Sequence, residues 1–311
     1  MIKSVPSSEA GVALITAVLI TAVIAIAAVS MASQQTLALR RTANVIDSDR
    51  AYVFALGVEA WAQQVLMRDR RDSQTDALGE DWALHLPPIS VEGAVVTGHI
   101  EDLQGRFNLN NLIDASGKVS APDLQRFRQL LVVLGLNPGL TDAVLDWIDA
   151  DSDVTQPNGA EDGQYLRADV PYRAANRPFA STSELLMVKG FTAEVYQSLA
   201  PFVTALPQRT AIDVNTAPKE VLMALGNGVT ESDANALIDA RGEKGFASVA
   251  DFVGQPALAG RGATQEGLSV ASDYFLLDAA ATFGRGQTHL YSIMARGIVG
   301  VETVLRGQGA Y

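Results

Sequence analysis

The sequence predicts an α+β protein in which a long amino-terminal helix and a small antiparallel sheet are interrupted by a large α-helical insertion. Three observations carry this reading: an apolar run that continues into an amphipathic stretch, alternating segments at both ends of the remaining chain, and a helical repeat between them. At 311 residues the chain is long enough for two or three compact units.

The long helix rests on charge and periodicity. No residue from Ala10 through Leu39 is charged, and Val12 to Ala32 supplies 21 residues, enough to cross a bilayer core that needs about 20. A buried core helix would show a broader polar stripe than Thr16, Thr21 and Ser30 provide. Ser30-Met31-Ala32 offers a cleavage site for a secretory signal, although the apolar run exceeds the roughly 7–15 residues such signals use. From Gln34 to Met67 there is no proline and one glycine, and Val45, Tyr52, Val53, Leu56, Val58, Trp61 and Val65 recur at helical spacing. One helix over residues 12–68 is expected, half in lipid and half against a soluble body. Asp69 to Pro88, charged and proline-containing, reads as a loop.

Alternation predicts strands at Ile89–Val91 and Ala94–Asp102. DYFLLDAAATF and THLYSIMARGIVGVETVLRG supply three more, the first divided from the rest by the turn FGRGQ. The sheet body is therefore assigned to residues 89–111 and 271–311, and the inserted α-domain to 112–270.

The insertion repeats itself. Phe107-Asn108-Leu109-Asn110-Asn111 matches Ile212-Asp213-Val214-Asn215-Thr216, and Ser120-Ala121-Pro122 matches Thr216-Ala217-Pro218, so each copy is expected to cap a helix with a small hydroxyl just before a proline. Leu134-Gly135 answers Leu225-Gly226, Ile148-Asp149 answers Ile238-Asp239, and the FAS at Phe179 answers the FAS at Phe246. The offset falls from 90 at Ile148 to 67 at Phe179, so the first copy holds 23 extra residues between these points (90 − 67). Helix, glycine turn and helix resemble a helix-hairpin-helix module, a fold often used to grip DNA phosphates. Here Ala211 to Val253 carries three basic residues against seven acidic ones, and the whole chain has a net charge of −12, so protein packing is expected in place of nucleic-acid binding.

The extra residues of the first copy are acidic. From Asp142 to Asp169 there are eight carboxylates and one cation, Arg167. Asp149, Asp151 and Asp153 alternate as the first ligands of a hard-cation loop do, and Glu161 and Asp162 follow the Asn158-Gly159 turn. It is not an EF-hand, since glycine is missing at the sixth position and Glu161 stands thirteenth from Asp149. Trp147, Ile148, Tyr165 and Tyr172, interleaved with the acids, indicate an ordered segment whose repulsion needs a counterion.

Enzyme chemistry finds little support. Cysteine is absent, which removes disulfides and thiolate chemistry. His85, His99 and His289 lie in no hydrolase or metalloprotease motif, and no phosphate-binding or dinucleotide fingerprint is present. No enzymatic activity is expected.

Two resemblances add to this. The polar leader MIKSVPSSEAG, with glycine directly before the apolar run, is similar to the leader of type IV pilin-like proteins. That likeness implies a pilin-like fold and cleavage between Gly11 and Val12 by a prepilin peptidase, with methylation of the new terminus. Those proteins usually carry Glu as the fifth mature residue, where it neutralises the terminal amine of the subunit above; this chain has Thr16, which suits a subunit with none above it. The runs WIDADSD, GAEDGQY, PYRAANRPFAS and ELLMVKGF, after FNLNNL and before IDVNTAP, resemble the K-class minor pseudopilins of type II secretion systems (general secretion pathway protein K). The resemblance extends from leader to terminal strands. It implies structural calcium (Ca2+), with Asp149, Asp151, Glu161 and Asp162 as ligands and Asp153, Asn176 and Asp169 as further candidates. It also implies the I and J minor pseudopilins and other pseudopilus subunits as partners, a single-pass anchor in the inner membrane and a globular body in the periplasm. The expected role is at the pseudopilus tip, in export of folded proteins across the outer membrane. The alternative is a secreted calcium-dependent binding protein freed by signal peptidase.

Overall fold

The structure, a computed structural model, describes residues 9–309, so the leader before Glu9 and the final two positions of the expected sheet body lie outside the described residues. Helix α1 (Glu9–Asp72) has 64 residues and is about 95 Å long. It is helical before Val12 because Ala10 and Gly11 offer no break. It also passes the expected end at residue 68: Arg70 and Arg71 lie in the last turn, where positive charge offsets the helix dipole. Asp69–Asp72 is therefore helix, not loop.

Strands β1 (Leu86–Val91) and β2 (Ala94–Asp102) follow as a hairpin. β1 starts before Ile89 and contains Pro87 and Pro88, which an edge strand tolerates because it has no outer ladder to donate to.

The chain then leaves the sheet to build the α-domain. Its first half comprises β3 (Phe107–Asn108), α2 (Ala121–Val133), α3 (Leu140–Ile148), the single turn α4 (Asp162–Tyr165), α5 (Ala193–Leu199) and β4 (Val203–Thr204). The second comprises β5 (Ile212–Asp213), α6 (Lys219–Met223), α7 (Glu231–Arg241), α8 (Val249–Val253) and β6 (Leu268–Ser269). Each half closes on itself in the same way, for β3 pairs in parallel with β4, and β5 with β6. Each also uses one asparagine as a clamp. Asn110 accepts from Phe179 N at 2.8 Å and donates to Phe179 O at 3.0 Å, while Asn215 does the same to Phe246 at 2.6 and 3.1 Å. The matched FAS segments are thus held by matched asparagines.

The expected hydroxyl caps do not form. Ser120 Oγ donates to Asp123 Oδ2 at 2.6 Å, Thr216 Oγ1 donates to Asp102 Oδ2 at 2.5 Å, and α6 begins only at Lys219. Thr216 stands too far ahead of α6, which is preceded directly by Pro218, and Ser120 directs its hydroxyl to the Asp123 carboxylate without receiving a backbone amide. Both halves share one core, in which Phe107 stacks on Phe127 at 5.4 Å beside Leu109, Leu130, Val214, Leu237 and Phe252.

The chain returns as β7 (Tyr274–Phe283), β8 (Gly286–Arg296) and β9 (Val301–Gln308), completing a five-stranded antiparallel sheet in the order β1-β2-β7-β8-β9. α1 crosses this sheet on a face that includes the expected Tyr52, Leu56, Val58 and Val65 but is centred on alanines. Ala51, Ala55, Ala62, Val65 and Leu66 are buried, whereas Val45, Val53 and Trp61 are 59, 65 and 47% exposed. Small residues let the helix approach closely: a Cβ on Gly286 would lie 2.3 Å from the Asp47 carbonyl carbon. At the far end of α1, Arg296 pairs with Asp69 at 2.7 Å and Asp76 at 2.5 Å, while Asp76 N and Gly79 N donate to Val270 O and Glu243 O of the α-domain. The α-domain thus abuts the end of α1 opposite the apolar half.

Ala62→Leu should lower the folding free energy by about 1–3 kcal/mol through overpacking, whereas Val53→Ala should change it by less than about 0.5 kcal/mol. Urea titration followed by tryptophan fluorescence measures both.

Candidate metal centre

The centre is organised by α3, whose sequence LTDAVLDWI is apolar apart from Thr141, Asp142 and Asp146. The two acids are one helical turn apart and both are buried. Asp142 accepts from Arg128 at 3.0 Å and from Asn158 Nδ2 at 3.0 Å, and Asp146 accepts from Thr155 N at 3.0 Å. These bonds fold the following loop back over the end of α3. Gly159 lies so close that a Cβ there would sit 2.2 Å from Asp146 Oδ2 and 2.4 Å from Thr155 O. Lys189 Nζ completes the fastening by donating to Asn158 O and Gly159 O at 3.3 and 3.1 Å.

The fold-back brings Asp149, at the end of α3, together with Asp151 and Glu161, their carboxylate oxygens within 4.8 Å of one another. Asn176 arrives from the other side with φ 46°, in the left-handed region that asparagine tolerates. Its amide donates to Trp147 O at 2.9 Å and its Nδ2 to Asp151 O at 3.0 Å. Trp147, Tyr165 and Tyr172 contact one another with ring centroids 5.2 to 6.3 Å apart and give the loop an apolar wall.

Within this arrangement Asp149 Oδ1, both Glu161 carboxylate oxygens and Asn176 Oδ1 are buried without a hydrogen-bond partner. Burial, followed by repulsion from Asp151, pushes the Asp149 carboxyl up to about 6. Burial, followed by repulsion from Asp146, pushes Glu161 up to about 7. Unpaired buried acceptors beside like charges are costly, and a hard divalent cation with a flexible oxygen shell satisfies them all at once.

Three of the sequence-predicted positions stand apart. Asp162 turns its carboxylate to Arg173 Nη1 at 3.0 Å and Ala174 N at 3.1 Å, which neutralise it outside the group. Asp153 donates its amide to Asp151 Oδ1 but keeps an exposed side chain, and Asp169 is exposed in the turn after α4, so water solvates both. Conversely, Asp142, Asp146 and Lys189 were not singled out by sequence reasoning; the available signal was a pair of acids set in an apolar helix. A second carboxylate group, Asp69, Asp76 and Glu80, already has its counterion in Arg296.

Two family models described as type II secretion system protein K match, one at residues 105–208 and the other at 212–271. Among relatives, the type II secretion system protein K of Pseudomonas aeruginosa is 38% identical, with 96% of this chain and 93% of that one covered. That of Aeromonas hydrophila is 34% identical, with 93% of each covered. This chain belongs to the type II secretion system protein K family. Among solved structures, the GspK-GspI-GspJ complex from the type 2 secretion system of enterotoxigenic Escherichia coli contains a chain with TM-score 0.77 and 28% identity, covering 87% of this chain and 100% of that one. Within this protein K fold the two matched ranges coincide with the two halves closed by β3–β4 and β5–β6.

Gly159→Ala is expected to cost about 1–3 kcal/mol, because Asp146 and Thr155 must move for the methyl group. Thermal melting of wild type and variant side by side checks this, and an unchanged midpoint would contradict the close approach.

Proposed function

We propose that this protein is a membrane-anchored minor pseudopilin at the tip of a type II secretion pseudopilus, where it supports export of folded proteins across the outer membrane. The observation that carries this reading is the position of the α-domain at the end of α1 remote from the apolar half, where its bulk blocks a further subunit. The apolar half is the anchor in the inner membrane, and the body lies in the periplasm. Thr16 fits a terminal subunit: its hydroxyl donates to Val12 O and Ala13 O at 3.0 and 2.9 Å, so it enters lipid with no unpaired group.

The I and J minor pseudopilins are the proposed partners, by analogy with the complex that contains the similar chain. They would pack along α1, which leaves Val45, Ile46, Val53 and Trp61 exposed. Beside them runs an apolar groove of about 400 Å³ lined by Phe54, Val58, Trp61, Ile89, Val91 and Val96. The role is mechanical, not enzymatic. Calcium held by Asp149, Asp151, Glu161 and Asn176 would stiffen the α-domain.

Intact mass of the protein from native membranes should correspond to a chain beginning at Val12, and the protein should co-purify with the I and J subunits. A mature chain beginning at Ser33 would overturn the anchor and with it the tip assignment.

Calcium at a hundredfold excess over Kd should stabilise the fold by about 2.7 kcal/mol, and chelator should remove this. Asp149→Ala should abolish the response to chelator, whereas Asp169→Ala should preserve it; differential scanning calorimetry distinguishes the two.

A further inference from the structure

Away from the metal centre, three buried carboxylates converge on one hydroxyl where the α-domain meets the sheet body. Ser272, in the segment that returns the chain to β7, is 1% exposed, and Asp76, Asp102 and Asp213 are 1, 9 and 0% exposed. Ser272 N donates to Asp76 Oδ2 at 2.7 Å. Its hydroxyl lies 2.7 Å from Asp102 Oδ2 and 3.1 Å from Asp213 Oδ2.

The protons do not suffice if all three acids are ionised. A serine hydroxyl has one proton to give, and two carboxylate oxygens face it. Asp102 is the better acceptor, since it also receives Thr216 Oγ1 at 2.5 Å and Gln104 N at 2.7 Å. Asp213 receives Asn215 N on Oδ1 at 2.8 Å, and its Oδ2 faces only Ser272. The nearby cations give their hydrogen bonds elsewhere, although the charge of Arg241 attracts Asp213 across the gap. Arg296 of β8 pairs with Asp69 and Asp76, and Arg241 of α7 donates to Val214 O and Ala217 O. Glu80 accepts from Trp82 Nε1 and Ala77 N.

We propose that Asp213 is a neutral carboxylic acid in the folded protein, donating its proton to Ser272 Oγ while Ser272 donates to Asp102, so that a proton relay fastens the α-domain to the sheet body. Asp213 and Asp102 lie on the two sides of this joint, one in β5 and the other at the end of β2. Burial, followed by repulsion from Asp102, raises the Asp213 carboxyl well above its usual range. Burial also raises Asp102, to about 6, against three hydrogen bonds that hold it down.

An acid whose folded-state pKa is raised binds its proton more tightly in the folded chain. The stability it confers is complete below the unfolded carboxyl value of about 4 and is lost as pH rises through the folded value. Asp213→Asn presents the same donor to Ser272 and the same acceptor to Asn215, but cannot ionise.

The test uses the full chain in detergent micelles with saturating calcium. The infrared difference spectrum between wild type and Asp213→Asn at neutral pH should show the carbonyl stretch of a protonated carboxyl in wild type, and that band should shift to higher frequency in Ser272→Ala. A difference is needed because burial also raises Asp69, to about 7. The folding constant of Asp213→Asn relative to wild type should rise with pH above the unfolded carboxyl value of about 4, by up to about tenfold per pH unit, until the buried acid ionises. A difference spectrum without that band, or a variant-to-wild-type ratio that stays flat above about pH 4, would overturn the proposal. So would failure of Asp213→Asn to fold, because the carboxamide supplies every hydrogen bond the neutral acid does.

Discussion

Everything beyond the sheet depends on one pairing, that of β2 with β7. The chain leaves the body at Asp102 and returns at Tyr274, and the ladder sets Asp102 opposite Phe275. The two ends of the α-domain are therefore adjacent, and whatever lies between them must close on itself. It closes twice, through two-residue parallel ladders that bring the end of each half back to its start. Such short ladders supply little stability alone. The shared core of Phe107, Phe127, Val214 and Phe252 holds the two halves together.

The candidate metal centre follows from how this closure is filled. The first half carries an acidic excursion that the second lacks, and the excursion is ordered by the acids inside α3 before the exposed acids come into play. Asp142 and Asp146 spend their oxygens on Arg128, Asn158 and Thr155. One oxygen of Asp149, both of Glu161 and the side-chain oxygen of Asn176 are then left buried with no hydrogen-bond partner. The division of labour is electrostatic: acids with a partner build the loop, and acids without one are left as candidates to hold a cation.

Much of the fold was legible because its signals are periodic. Apolar length marked α1, alternation marked β2 and the three terminal strands, and the FNLNN and IDVNT echo marked two halves whose asparagines do equivalent work. What was not legible depends on partners distant in sequence. Ser120 and Thr216 look like helix caps, but no backbone amide reaches them, and their hydroxyls bond Asp123 and Asp102. Asp162 looks like a ligand until Arg173 neutralises it. The packing face of α1 was read in part: Tyr52, Leu56, Val58 and Val65 pack on the sheet core as expected, whereas Val45, Val53 and Trp61 do not, and alanines take the closest positions.

That last feature separates two duties along a single rod. Since Val45 and Val53 contribute little to holding α1 on its own sheet, they are free to vary with whatever stands alongside, while the alanines opposite answer only to the subunit itself. One helix can thus drift in its external affinities over generations without loosening its own domain, and a neighbour can be exchanged without redesigning the interior.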